Sequence, residues 1–240
     1  MSKVLILLKN DFKNIIKEKL MLLPALAVLI FIILFGWITR KCVVWIPDYD
    51  VKSLFPLVTA GNIVFTPCLY SFVIGFMLIE EKESKVLDAI RVSPLPGGMF
   101  LSYRLSFAIL ISLINGLISL PLINLTYIDY KYLIPIVIIA ALETPIYSLI
   151  MATWSNNKVE GMAISKGLGV ISEAPLISFF INSPVRYIFA LFPSFYPVWA
   201  FIHAANGNTK SWLLFVCVGL VYHVIINVFL IKQFKRKVYS

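Results

Sequence analysis

Four stretches of this chain run for at least twenty residues without an Asp, Glu, Lys or Arg: 20–39, 53–79, 105–128 and 211–231. A helix needs about 20 apolar residues to cross a hydrocarbon core about 30 Å thick, so each reads as a membrane-crossing helix. Two more, 132–157 and 167–185, qualify if each is allowed one glutamate, Glu143 and Glu173. Composition agrees: 60% of residues are apolar and 14% charged, against about 25% charged in soluble domains. The expectation is an all-α membrane protein of six transmembrane helices, with residues 1–240 forming a single domain.

The stretch 187–202, YIFALFPSFYPVWAFI, is ambiguous. It is short for a crossing, and Pro193 and Pro197 each remove a backbone donor. Its aromatic residues, Trp199 among them, suit a membrane interface. Segment 186–209 therefore reads as a bent external re-entrant segment before span six. The distribution of basic residues favours this choice. Six spans with both termini cytoplasmic put fifteen Lys and Arg inside and six outside. A seventh crossing would give twelve and nine, a weaker positive-inside bias.

The net charge of +9 is thus chiefly a topology signal. Nucleic-acid binding would need a basic face on a soluble domain, and none is expected. Cys42, Cys68 and Cys217 have no disulfide or metal spacing, and His203 and His223 share no ligand motif with carboxylates or cysteines. No catalytic residue and no metal site are expected. The first apolar run follows nineteen largely polar residues, which does not suggest a cleavable signal peptide. Within 1–19, Leu5, Leu8, Phe12, Ile15 and Ile16 share one helical side while Lys9, Lys13 and Lys17 point elsewhere. Such a helix lies on the inner leaflet against anionic membrane lipid.

One insert breaks the apolar pattern. IEEKESKVLDAIRVSPLPGG, between spans two and three, carries seven charged residues within 80–91. It reads as a short cytoplasmic helix over 80–96. Glu80, Glu81 and Glu83 suit a helix N-terminus, and Val86, Leu87 and Ile90 form an apolar stripe. Lys85, Asp88 and Arg91 face away, and Ser93-Pro94 stops the helix. Arg104, opening span three, is placed to pair with Glu80 or Glu81.

EKESKVLDAIRVSPL resembles the motif that follows the second span in type-2 ABC exporter permeases. The shared features are Glu81-Lys82-Glu83, Leu87-Asp88 and Val92-Ser93-Pro94-Leu95. The family often has Gly-Thr where this chain has Lys85-Val86. NNKVEG, from Asn156, and FALFPSFYPVWA, from Phe189, resemble the subgroup labelled fluoroquinolone export permeases. The resemblance implies that the insert is a coupling helix docking on a cytoplasmic ABC ATPase subunit. The contacts would come from Glu81, Glu83, Val86, Leu87, Asp88, Ile90, Arg91 and Pro94. It further implies a second permease copy or paralogue, a bacterial cell membrane location, and ATP and Mg bound on the partner. This chain has no G-x-x-x-x-G-K-[ST] phosphate loop, and no cofactor is expected on it.

Glu143 in LETPIY and Glu173 in SEAPLI lie inside spans. An intramembrane carboxyl is costly and points to function. Pro145 and Pro175 each free the carbonyl four residues back, at Ala141 and Ile171. By helix rise, Glu143 lies about 18 Å beyond Lys131 and Glu173 about 10 Å beyond Lys166. They are the candidate lining of a substrate pathway, against a structural role in tying helices together. The expected activity is export of hydrophobic or amphipathic molecules, whether drug, peptide or lipid. The alternatives are an intramembrane enzyme using Glu143 and Glu173 and a stand-alone membrane immunity protein.

Overall fold

Long runs of Leu, Ile, Val and Phe with few turn residues become helix, because backbone polar groups in lipid must be satisfied within the segment. The computed structural model describes residues 19–86 and 97–238, with side chains over 26–86 and 100–237. The helix expected over 1–19 (save Lys19) lies outside them, as do insert residues Leu87, Asp88, Ile90, Arg91 and Pro94. The described residues form α1 (Lys19–Trp45), α2 (Phe55–Glu83), α3 (Gly97–Ile123), α4 (Tyr130–Ala141), α5 (Glu143–Trp154), α6 (Lys158–Glu173), α7 (Phe195–Ala205) and α8 (Thr209–Val238). Tighter 3-10 turns cover Val51–Leu54, Ala174–Phe180 and Pro184–Leu191.

Six helical stretches are long and apolar enough to cross a membrane: Leu26–Trp45, Val51–Glu83, Phe100–Ile123, Tyr130–Trp154, Lys158–Phe180 and Thr209–Lys237. They correspond one to one with the six apolar runs. Burial separates them. In spans two and four 67% and 72% of the most apolar window is buried, against 22% in spans one, five and six. Spans two and four are therefore the core, and the other three present most of that surface to lipid.

Proline sets two interruptions. Span four is two twelve-residue helices joined at Leu142, because Pro145 has no N–H and its ring crowds the preceding turn. Span five leaves α-helix at Glu173, just before Pro175, and finishes as the 3-10 turn Ala174–Phe180.

The aromatic stretch before span six is a 3-10 turn and then α7, whose eleven residues reach only about 16 Å and cannot cross. The environment of its rings differs from the interfacial one expected. Tyr187 and Leu191 are exposed, but Phe195, Trp199 and Phe201 are buried among α2, α4 and α8. Gly219 of α8 makes this possible, since a Cβ there would lie 2.8 Å from the Tyr196 Cβ. Small residues admit close helix approach in this way.

Two large apolar cores stack along the bundle, with a smaller third cluster of Val28, Ile32, Tyr70 and Ile123. One large core joins Leu57, Ile63 and Val64 of α2 to α4 and α7, and the other joins Ile74, Leu78 and Ile79 of α2 to α3, α5 and α8. Between the two large cores, spans two, three, four and six carry buried polar residues: Thr66 and Ser71, Ser112, Glu143 and Thr144, His223 and Asn227. The joint at Leu142 lies in this polar layer.

Candidate functional site

Three places on this frame collect the chemistry. The first is the charged end of α2. Its 29 residues amount to about 43 Å of helix, more than a hydrocarbon core of about 30 Å, so an end must emerge from lipid. Glu80, Glu81 and Glu83, expected at the start of a separate helix, instead form the last turn of α2. Acidic groups at a helix C-terminus oppose its dipole, and cationic partners offset this. Arg104 of α3 meets the Glu81 carboxylate at 2.6 Å, and Lys158 of α6 meets Glu80 at 3.2 Å. The Lys158 backbone N–H donates to Glu83 at 3.2 Å, and Lys82 donates to the Ser155 carbonyl at 2.9 Å. The helix stops at Ser84, and Lys85 turns the chain with φ +56°. Val86, the last described residue before the rest of the insert, is 42% exposed.

This arrangement explains NNKVEG. Asn157 caps α6 by accepting the Glu160 N–H at 2.9 Å, and Glu160 accepts the Asn156 N–H at 2.7 Å. That is a variant of the reciprocal capping box. Lys158 supplies the contacts to α2, and Gly161 lets α6 lie close, since a Cβ there would be 2.6 Å from the Ile79 Cδ1. Lys82 and Lys158 belong to this junction although sequence reasoning assigned them no role in coupling. Their signal was position, one in the acidic run and one in the cap motif.

The second place is a cavity of about 290 Å³ between α1, α2 and the end of span five. Its walls include Phe31, Phe35, Phe65 and Leu176, and its polar groups are Asn62 and Glu173. Phe31 and Phe65 stack at 4.5 Å. Asn62 donates to the Val58 carbonyl at 2.8 Å. That leaves its Oδ1, like Oε1 of Glu173, buried without a hydrogen-bond partner among the described residues. Aromatic faces beside unfilled acceptors suit a flat amphipath carrying an N–H cation.

The third place is the polar layer. Glu143, the first residue of α5, is fully buried, with its Oε1 3.9 Å from Nε2 of an equally buried His223. Nearby, the Tyr147 and Ser194 hydroxyls share a hydrogen bond of 3.1 Å. The joint carbonyl of Leu142, rather than Ala141 as proline geometry alone suggests, accepts Asn227 Nδ2 at 2.9 Å. Thr144 reaches Ser112 at 2.8 Å and the Pro67 carbonyl at 3.4 Å. Glu143 and Glu173 lie within electrostatic range of each other but face different neighbours. Glu173 lines the cavity and Glu143 faces span six. Outside the spans, burial and then the neighbouring Arg186 guanidinium hold the His203 imidazole below the ordinary histidine range.

Six crossing helices around a polar-layered core, with a charged end and a cavity at span depth, describe a multi-pass membrane transport component. A family model described as fluoroquinolones export permease protein Rv2686c-like matches residues 11–231. The chain belongs to this family of export permeases. It is 25% identical over 199 residues to the fluoroquinolones export permease protein Rv2686c of Mycobacterium tuberculosis strain H37Rv, covering 79% of this chain and 75% of the relative. The same figures hold for the protein MT2760 of strain CDC 1551.

Proposed function

We propose that this permease is the membrane subunit of an ATP-driven exporter of amphipathic molecules, moved by a separate cytoplasmic ABC ATPase that docks on residues 80–95. The observation that carries this reading is the junction at the end of α2. At the start of the insert, the end of α2 is tied to α3 through Glu81–Arg104 and to α6 through Glu80–Lys158. A push delivered to the insert then reaches spans two, three and five together. ATP and Mg belong to the partner in this reading. The working unit holds two permeases, identical or paralogous. A basic excess of fifteen residues to six supports the orientation with the charged end and both termini in the cytoplasm.

The substrate route runs past Glu173. Its cavity joins a carboxyl to three aromatic rings, and the relatives are named for fluoroquinolones, flat aromatic compounds many of which carry a basic amine. Glu143 enters the route as a support for the joint behind it. The test is efflux from cells expressing the permease with its ATPase. Cells with the wild-type pair should accumulate less of a fluorescent amphipathic cation than cells with either subunit alone. Glu173→Gln should weaken export of the cation more than that of a neutral amphipath. Accumulation equal to that of the single-subunit controls would reject the exporter reading.

A further inference from the structure

We propose that Glu143 and His223 form a buried site for a single proton, and that this proton clasps the joint of span four to span six. The reasoning starts at the imidazole. His223 Nδ1 lies 2.7 Å from the Gly219 carbonyl oxygen. A carbonyl only accepts, so Nδ1 carries a hydrogen and Nε2 is the nitrogen left to face Glu143. Both carboxyl oxygens and Nε2 are buried without a hydrogen-bond partner among the described residues, and the 3.9 Å gap exceeds a hydrogen bond by about 1 Å. Three orphaned polar atoms in one fully buried place require an explanation.

Charge counting supplies it. With no shared proton, an ionised carboxylate faces a nitrogen lone pair inside a low-dielectric core, which is costly. With two protons the pair is a neutral acid beside an imidazolium, leaving a net positive charge. With one, held either as carboxyl O–H donating to Nε2 or as Nε2–H donating to carboxylate, the pair is neutral overall, and the two facing atoms bond once they close the gap of about 1 Å. The other groups around it are hydroxyls, rings, one thiol and one further carboxyl. Tyr147 and Ser194 are bonded to each other and stand beside the Glu143 carboxyl, where the hydroxyl hydrogen left over can face its second oxygen, and the Tyr196 and Tyr222 rings flank the imidazole at 6.3 and 6.0 Å. Cys68 and Glu173 lie within electrostatic range.

The consequence is mechanical. One turn beyond His223 on α8, Asn227 holds the Leu142 carbonyl. One helix face thus grips the joint on both sides, through Asn227 by an amide bond indifferent to pH and through His223 by a contact that needs a proton. Loss of the proton releases the start of α5 while Leu142 stays held. This places a proton-dependent hinge in span four and does not depend on which molecule is exported.

The test is solid-state nitrogen-15 NMR of histidine-labelled full-length chain in lipid bilayers. The chain has two histidines, so His203→Gln leaves His223 as the only signal. The expected result is an Nδ1 protonated throughout and an Nε2 resonance that moves in one step with pH, from a hydrogen-bonded position to that of a free imine nitrogen. The Glu143 carboxyl carbon should move at the same pH, and Glu143→Gln should abolish the step. An Nε2 at the free imine position at every pH in the chain with Glu143 intact would overturn the proposal, without need of a variant that folds. A step that persists unchanged in Glu143→Gln would overturn it equally.

Discussion

Lys85 turns the chain at the end of α2 with φ +56°, a conformation that costs an L-residue roughly 1–2 kcal/mol and glycine little. It is one of two described non-glycine residues with positive φ, the other being Asn124. Lys85→Gly should stabilise the permease by about 1 kcal/mol once glycine's greater unfolded-state entropy is counted. That corresponds to a rise of roughly 2–4 °C in the thermal midpoint for a chain of this size, read by tryptophan fluorescence in detergent. Residue-scale legibility was uneven. Arg104 and the acidic turn could be paired from sequence because they flank one insert. Glu143 and His223 are eighty residues apart and their spans carry no shared motif. The available signal was that His223 and Asn227 are one helical turn apart in an apolar span, marking a polar face that needs a partner.

At the scale of elements, the six spans were legible because charged residues bracket each apolar run and lipid leaves the backbone little choice but helix. Pro145 announced the break in span four, but the carbonyl it leaves for a partner is set by where the joint relaxes, and Leu142 takes that role. The aromatic stretch before span six was legible as a non-crossing segment. Its burial was not, since Phe, Tyr and Trp suit an interface and a protein core equally well. What decides is Gly219 on α8, which opens room for α7. Asn227→Leu removes the amide that holds the joint and leaves a buried carbonyl unsatisfied, a loss of about 1–3 kcal/mol. Asn115→Leu removes only a bond within its own helix, to the Ile111 carbonyl, and should change stability by less than about 0.5 kcal/mol. Thermal unfolding of the two variants side by side checks this. Equal shifts would mean that the joint is not held by Asn227.

The whole molecule is organised around α2. Its two halves sit in separate apolar cores, its middle crosses the polar layer, and its charged end is tied to α3 and α6. On the exporter reading, a displacement of the exposed end travels along α2, past its internal Pro67, to the Glu173 cavity, whose wall includes Asn62 and Phe65 of the same helix. In the proposed exporter, that displacement is what ATP closure on a partner supplies. The most direct measurement is ATP hydrolysis by the ATPase co-purified with this permease in lipid nanodiscs. It would be made with the wild-type chain and with Leu87→Asp combined with Ile90→Asp. The wild-type complex should assemble and hydrolyse ATP, while the double variant should remain folded by circular dichroism and lose the ATPase. Equal assembly and equal hydrolysis with both chains would contradict the coupling of residues 80–95 to an ATP-driven partner.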